Sequence, residues 1–281
     1  MNYNITKILV AVDMSDTSLN ALDAAVAIAK KHHATIQVLN IIERSLYANG
    51  ENRFLSEINK SNSDVLTALT KSISSSGKVA SQFIQLEGDV VDSIIKFSQS
   101  EQCDLIVVGT HGASGFREGF IGSKSYDVIK FARCPVLTIP PKRKFNLFEK
   151  VLFPIRPVSG ALKRYNVVCH FLSASAKLEV LGLSYLNIER NTGIIDKIVE
   201  GIRDQLNSDK VDVHTSWGKS GYVTDDILDY AIQSKPDLII LTSAIDAISK
   251  PHFIGPHAQK IINRATVPVL SIKEYGMLVF S

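Results

Sequence analysis

The sequence has little net charge and no long apolar run. Its 31 Lys and Arg residues against 28 Asp and Glu residues leave a formal charge of +3, which excludes the basic footprint of a nucleic-acid-binding protein. No apolar run reaches the roughly 18 residues that a membrane-spanning helix needs. Met1–Asn4 leads into strand-like sequence without a charged-then-apolar leader. We therefore expect a cytoplasmic protein with no nucleic-acid or membrane partner.

Cysteine is also scarce. Cys103, Cys134 and Cys169 are far apart, odd in number, and form neither a C-x-x-C motif nor a Cys/His ligand spacing. A free cysteine behaves as a small hydrophobic residue, so we expect these three to pack in the protein interior. This predicts no disulfide framework and no cysteine-ligated metal.

What the sequence does have is an internal repeat. Residues 104–108, DLIVV, match residues 237–241, DLIIL, at an offset of 133 positions. The same offset relates Gly122 to Gly255, while residues 7–10 and 150–153 match at an offset of 143. A length of 281 residues suits two domains. We predict a tandem duplication, with domains at 1–141 and 148–281 joined by a charged, proline-containing linker.

Strand and helix signals alternate in each copy. Short apolar runs rich in β-branched residues predict five strands in the first copy, at 8–12, 35–42, 79–86, 105–108 and 136–139. Helical periodicity predicts four helices between them, with Ser15 or Asp16 capping the first. Parallel strands need crossover helices, so the fold class is α/β. Each domain should be a doubly wound five-stranded parallel sheet flanked by helices.

A glycine-rich segment follows the fourth predicted strand. Residues 109–123 contain five glycines, and Gly122-Ser123 opens a predicted helix. Ligands of open parallel sheets bind beyond the carboxyl ends of the strands. The unpaired amides and the dipole of a helix N-terminus there favour a phosphate. Composition alone leaves a glycine-rich surface turn equally open.

The spacing of this segment, G-x-x-G-(nine residues)-G-S, resembles the ATP-binding signature of the universal stress protein family. Gly109, Gly112, Gly122 and Ser123 match it without a gap, and the flanking segments KILVAVD and CPVLTI are typical of the same family. The chain looks like the tandem two-domain subgroup. The resemblance implies Rossmann-like, adenine nucleotide alpha hydrolase-like domains and ATP, with or without magnesium, as the ligand.

The resemblance also implies which residues hold the nucleotide. Asp13, which follows the first strand, would contact the ribose, and the main chain at Ile41 would contact adenine. His111 has no nucleophile beside it and is expected to bind rather than catalyse. The implied binding set is Ala11, Val12, Asp13, Ile41, Gly109, His111, Gly112, Gly122, Ser123 and Ser125. We expect no catalytic residue and no dedicated metal site. A slow ATP-hydrolysing enzyme and a nucleotide-free scaffold remain as alternatives.

The second copy has lost this pattern. Arg156 replaces Asp13, Thr242 replaces Gly109, Ile245 replaces Gly112 and Pro256 replaces Ser123, whereas Gly255 is retained. Pro256 lacks the amide that would meet a phosphate, although it suits the first turn of a helix. We therefore predict one nucleotide per chain. Trp217, the single tryptophan, should pack, and His252 and His257 should be loop residues rather than metal ligands.

The resemblance further implies how the copies meet. Members of the family commonly associate through their last strands, here 136–139 and 267–272. A tandem chain can make this contact internally, as a pseudo-dimer. The apolar end of the chain, Met277–Phe280, is expected to dock on its own chain or across a homodimer.

Overall fold

Alternating strands and helices build the N-terminal half of the protein. The computed structural model describes residues 4–43, 53–76, 79–111, 121–141, 148–157, 167–173, 175–184, 188–206, 211–242, 245 and 255–273. The strands are β1 Lys7–Ala11, β2 Thr35–Ile42, β3 Ser81–Glu87, β4 Leu105–Gly109 and β5 Val136–Ile139. The helices are α1 Asp16–His32, α2 Arg53–Ser75, α3 Val90–Ser100 and α4 Ser123–Phe131. Every strand and helix predicted for this half is present.

The C-terminal half repeats the order. Its strands are β6 Lys150–Ile155, β7 Lys177–Gly182, β8 Asp212–Trp217, β9 Leu238–Thr242 and β10 Val269–Ile272. Its helices are α5 Ile188–Leu206, α6 Val223–Ser234 and α7 Pro256–Arg264, with a 3-10 turn at Cys169–Phe171. The last strand begins at Val269, two residues later than predicted. Pro268, directly before it, has no amide hydrogen to donate to a neighbouring strand.

The described strands form one sheet of ten rather than two separate sheets. Their order is β3-β2-β1-β4-β5-β10-β9-β6-β7-β8. Within each half all neighbours are parallel, as predicted, whereas β5 and β10 pair antiparallel with Leu137 opposite Leu270. The expected pairing through the last strands is therefore present, and it makes the two sheets continuous. The domain limits at 141 and 148 remain a prediction.

Side chains of each central strand alternate between two core layers. In β1, Ile8 and Val10 belong to one hydrophobic cluster and Leu9 to the other, and all three are fully buried. Successive strand residues point to opposite faces, so both faces of the sheet are covered. Burial raises the pKa of the Cys103 thiol to about 12, so that cysteine packs as a neutral hydrophobic residue, as predicted. No helix among the described residues has the length and apolarity to cross a membrane.

Two aspartates show the duplication at the level of hydrogen bonds. Asp104 Oδ2 accepts from the amides of Thr6 (2.8 Å) and Lys7 (2.9 Å), at the start of β1. Asp237 Oδ2 accepts from Glu149 (3.0 Å) and Lys150 (2.9 Å), at the start of β6. A carboxylate that accepts two amides fixes the start of the first strand of each half against the fourth.

Candidate functional site

The candidate site lies where strand order reverses in the N-terminal half. β1 has β2 on one side and β4 on the other, so the helices after β1 and β4 leave from opposite faces of the sheet. A cavity of about 390 Å³ opens there, at the carboxyl ends of the strands. Nine of the ten predicted binding residues line it: Ala11, Val12, Asp13, Ile41, Gly109, His111, Gly122, Ser123 and Ser125. The tenth, Gly112, lies outside the described residues.

The turn after β1 presents Asp13 at the edge of the cavity. Asp13 Oδ1 accepts from the amide (3.1 Å) and the hydroxyl (2.6 Å) of Ser15, and Ser15 also caps α1 by accepting from the Ser18 amide. Met14 between them has φ of +66°, a left-handed conformation that is uncommon for a non-glycine residue. Such strain persists where the surroundings fix it, and here it turns the chain so that Asp13 is held by Ser15.

A buried asparagine ties the end of β2 to the segment that follows β1, next to the cavity-lining residues Val12 and Ile41. Asn40, 8% exposed, donates through Nδ2 to the Val12 carbonyl (2.7 Å) and accepts from Gln85 Nε2 (2.9 Å). The Val12 amide donates in turn to the Leu39 carbonyl (2.9 Å). Because Ile41 follows Asn40 directly, these bonds fix the backbone that is expected to contact adenine.

Gly109 lines the cavity and also packs closely against helix α1. A Cβ atom at Gly109 would lie 3.0 Å from the backbone carbon and the Cβ of Thr17, in the first turn of α1. Any larger residue at this position would therefore displace α1. Thr17 Oγ1 also donates to the His111 carbonyl, which ties α1 to the segment after β4.

The N-terminus of α4 forms the other wall of the cavity. The Gly122 amide donates to the Thr110 carbonyl (2.8 Å), and the Ser125 hydroxyl donates to the Gly109 carbonyl (2.8 Å). Gly122 is the N-cap of α4, which has no side-chain cap. The amides of the first helical turn, from Ser123 onward, have no acceptor within the helix and could donate to an anion.

The imidazole ring of His111 also belongs to the site. Nδ1 of His111 forms a hydrogen bond of 2.9 Å with the Thr110 hydroxyl. The buried Nε2 of the same ring has no partner among the described residues.

Lys124 and Glu43, which both line the cavity, form an ion pair of 2.6 Å. Sequence analysis missed this pair. Lys124 could have been found from its place directly after Gly122-Ser123, but nothing in the sequence indicates Glu43 as its partner.

In the C-terminal half, side chains of the protein lie between the carboxyl ends of β6 and β9, which correspond to β1 and β4. Arg156, which follows β6, donates to the carbonyl of Ile245, which lies beyond the end of β9, at 3.0 Å. Ile245 is 1% exposed and belongs to the hydrophobic core. Pro256 lies in the first turn of α7, as predicted. Arg156 therefore bridges the ends of β6 and β9, and the Ile245 side chain packs in the core beside them.

Two side chains set aside in the sequence have structural roles. Trp217 packs against the core, and a Cβ atom at Gly182 would come within 2.6 Å of its ring. His257 lies in α7 rather than in a loop, so that expectation was wrong, and its Nδ1 lies 2.9 Å from the Thr224 hydroxyl. His252 lies outside the described residues. Within the described part of the chain there is no group of three side chains suited to a metal ion.

The fold and the cavity define a tandem doubly wound α/β protein whose N-terminal half has an open crevice at the strand-order reversal. The sequence model of the universal stress protein family matches residues 4–140. A universal stress protein of Methanocaldococcus jannaschii is 32% identical over 142 residues, which are 49% of this chain and 84% of that relative. One from Bacillus subtilis is 30% identical over 145 residues, which are 47% of this chain and 97% of that relative. The chain belongs to the universal stress protein family.

The similarity of fold extends over both halves. The crystal structure of a universal stress protein from Archaeoglobus fulgidus covers 96% of this chain and 97% of its own, with a TM-score of 0.70 and 22% identity. The fold of the whole chain is therefore that of a tandem pair of universal stress protein domains.

Proposed function

We propose that this protein binds one molecule of ATP in the N-terminal cavity and acts through binding, as a stress-response or signalling protein of the cytoplasm. One observation carries the proposal. The cavity joins an acidic residue after β1 to a glycine-opened helix N-terminus after β4, and these are the positions predicted to hold the ribose and the phosphates. The three cysteines form no disulfide bond with one another, which agrees with a reducing compartment.

Each part of the cavity suits one part of the ligand. The Asp13 carboxylate, held by Ser15, would accept hydrogen bonds from ribose hydroxyls. The main chain at Ile41 would contact adenine. The amides at the start of α4 and the Lys124 ammonium group would meet the phosphates, with a magnesium ion where the nucleotide brings one. His111 Nε2, buried at the cavity wall, offers one more polar contact.

The acid and base groups around the cavity favour binding over turnover. Asp13 is held by Ser15, Glu43 by Lys124 and His111 by Thr110. A general base must reach the proton that it removes, and Asp13 and Glu43 are each engaged with a neighbouring residue, whereas His111 keeps only its buried Nε2 for a ligand. We therefore propose a protein that holds ATP without using it as a substrate.

Gly122→Val tests the proposal without disturbing the fold. Gly122 has φ −58° and ψ 144°, which valine adopts readily, and an added Cβ would meet only the Thr110 carbonyl oxygen, at 3.4 Å. The variant should fold normally but lose ATP binding, because the side chain occupies the phosphate end of the cavity. Gly193→Val, whose added Cβ would meet no atom within 4 Å, is the matched control.

Calorimetry with ATP and an assay for released phosphate separate the alternatives. The proposal expects close to one ATP per wild-type chain, no binding to Gly122→Val and no sustained release of phosphate. A stoichiometry near two ATP per chain would contradict the prediction that the C-terminal half binds no nucleotide. Steady phosphate release would indicate an enzyme, and absence of binding by the wild type would indicate a scaffold.

A further inference from the structure

A hydrogen bond from the C-terminal half reaches the edge of the candidate nucleotide site. The backbone amide of Ile121 donates to Oδ1 of Asn263, on α7, at 3.0 Å, across 142 positions of sequence. Ile121 directly precedes Gly122, the N-cap of α4. The bond is partly buried, so water replaces it poorly if it is lost.

Two successive amides at the entry of α4 are thus held by different halves of the chain. The Gly122 amide donates to Thr110, which follows β4 in the N-terminal half, whereas the Ile121 amide donates to Asn263 in the C-terminal half. The C-terminal half also holds the other end of the helix, where Lys273 Nζ donates to the carbonyls of Lys130 and Ala132. Helix α4 is therefore fixed at both ends by the half that has lost its own nucleotide motif.

The residue that provides this acceptor differs between the two halves. α4 and α7 are related by the offset of 133 positions, which relates Asn263 to Lys130. A lysine ammonium group only donates, so Lys130 cannot accept from a backbone amide in the way that Asn263 does. In a symmetric homodimer both positions would carry the same residue. The tandem chain has the acceptor only on the side that faces the intact glycine motif.

We propose that Asn263 is a positioning residue for the nucleotide site. It fixes the backbone at Ile121 and thereby the direction in which the first amides of α4 point. The C-terminal half then acts as a permanent support for the phosphate end of the N-terminal cavity. This inference rests on the proposed function, because the amides that it positions are those expected to meet the phosphates.

Substitutions at Asn263 test the hydrogen bond. Asn263→Leu keeps the approximate size but removes the acceptor, whereas Asn263→Asp keeps an acceptor at the same reach. Gln259→Leu and Gln259→Glu make the corresponding changes at an exposed position of the same helix. Asn263→Leu should weaken ATP binding about tenfold, because the first amides of α4 are no longer held in the direction that meets the phosphates. Asn263→Asp and both Gln259 variants should stay close to the wild type.

Comparison of ATP with adenosine distinguishes positioning from general stability. Adenosine lacks the phosphates, so its affinity should not change in Asn263→Leu if only the phosphate end is displaced. An equal loss for both ligands, together with a lower melting temperature, would overturn the proposal, as would wild-type ATP affinity in Asn263→Leu.

Hydrogen exchange of the Ile121 amide gives a readout that needs no nucleotide. In the ligand-free protein it should be faster in Asn263→Leu than in the wild type and restored in Asn263→Asp. An unchanged rate would overturn the hydrogen bond itself. Failure of the wild type to bind ATP would instead overturn the proposed function, whatever the exchange rates are.

Discussion

The two halves of the chain share a scaffold and differ at the carboxyl edge of the sheet. Asp104 and Asp237 brace the first and fourth strands in the same way, and both halves order their strands alike. At the other edge, the N-terminal half has a cavity beside Asp13, whereas Arg156 in the C-terminal half donates across the gap to Ile245. The same order of strands therefore forms both with an open cavity beside Asp13 and with Arg156 bridging the equivalent strand ends.

A size exchange supports this interpretation. In the N-terminal half Gly109 lies against Thr17, with no room for a Cβ. The residue equivalent to Gly109 is Thr242, and the residue equivalent to Thr17, by the offset of 143, is Gly160, which lies outside the described residues. In the sequence, therefore, the larger residue of the pair stands at the position equivalent to Gly109, and the glycine stands at the position equivalent to Thr17. Such an exchange keeps the summed side-chain volume of the two positions while the glycine motif is lost.

The largest expected effect concerns Ile245, which should stabilise the C-terminal half without serving a ligand. Ile245→Ala should lower the free energy of unfolding by about 3 kcal/mol, because a fully buried side chain leaves a cavity. Urea unfolding measures the loss, and the control is Ile232→Ala, at a position 71% exposed. ATP stoichiometry should not rise, since Arg156 and Pro256 remain. A second bound nucleotide would show that Ile245 alone closes that half.

A smaller effect is expected at the mouth of the open cavity. Lys124 pairs with Glu43 but lies beside the phosphate end, so Lys124→Gln should weaken ATP binding about tenfold and leave adenosine binding unchanged. Glu43→Gln frees the ammonium group and should strengthen ATP binding. The control is Lys96→Gln, which removes a lysine from an exposed pair with Asp92 of 2.7 Å.

Calorimetry at low and high salt checks the charge effect at Lys124, because added salt screens exposed charges and should reduce the difference between variants. Equal losses for Lys124→Gln and Lys96→Gln would mean that net charge, rather than the position at the cavity, determines affinity.

Local patterns made most of the fold and much of the site predictable. Apolar runs gave the strands, and the spacing of Gly109, Gly122 and Ser123 marked one wall of the cavity, because the carboxyl ends of parallel strands meet at one edge. The Lys124–Glu43 pair and the Asn263–Ile121 bond join residues 81 and 142 positions apart. Such contacts depend on helix placement and on how the halves meet, which no local pattern records. The contact between Gly109 and Thr17 could not be predicted for the same reason, since Thr17 approaches Gly109 only in the folded protein.

The smallest expected effect concerns the contact between the halves at the edge opposite the cavity. His32, at the end of α1, faces His170 of the C-terminal half, with ring centroids 6.2 Å apart. Lys31 donates from Nζ to the carbonyls of His170 and Leu172, which brings its positive charge close to both rings. Burial, with a further contribution from Lys31, lowers the pKa of His32 from 6.5 to about 4. Burial lowers the pKa of His170 as well.

The pKa shift at His32 makes the contact sensitive to acid. Between about pH 6.5 and 4 the unfolded chain binds a proton at His32 that the folded chain does not, so stability falls as the pH falls through this range. Because the ring is only partly buried, we expect a loss of about 1 kcal/mol between neutral pH and about pH 5. In His32→Gln, urea unfolding should show a smaller loss over the same range. His33→Asn is the control, since His33 is exposed and has φ of +53°, which asparagine tolerates. An acid-induced loss in His32→Gln as large as in the wild type would mean that His32 is not the group whose protonation weakens this contact.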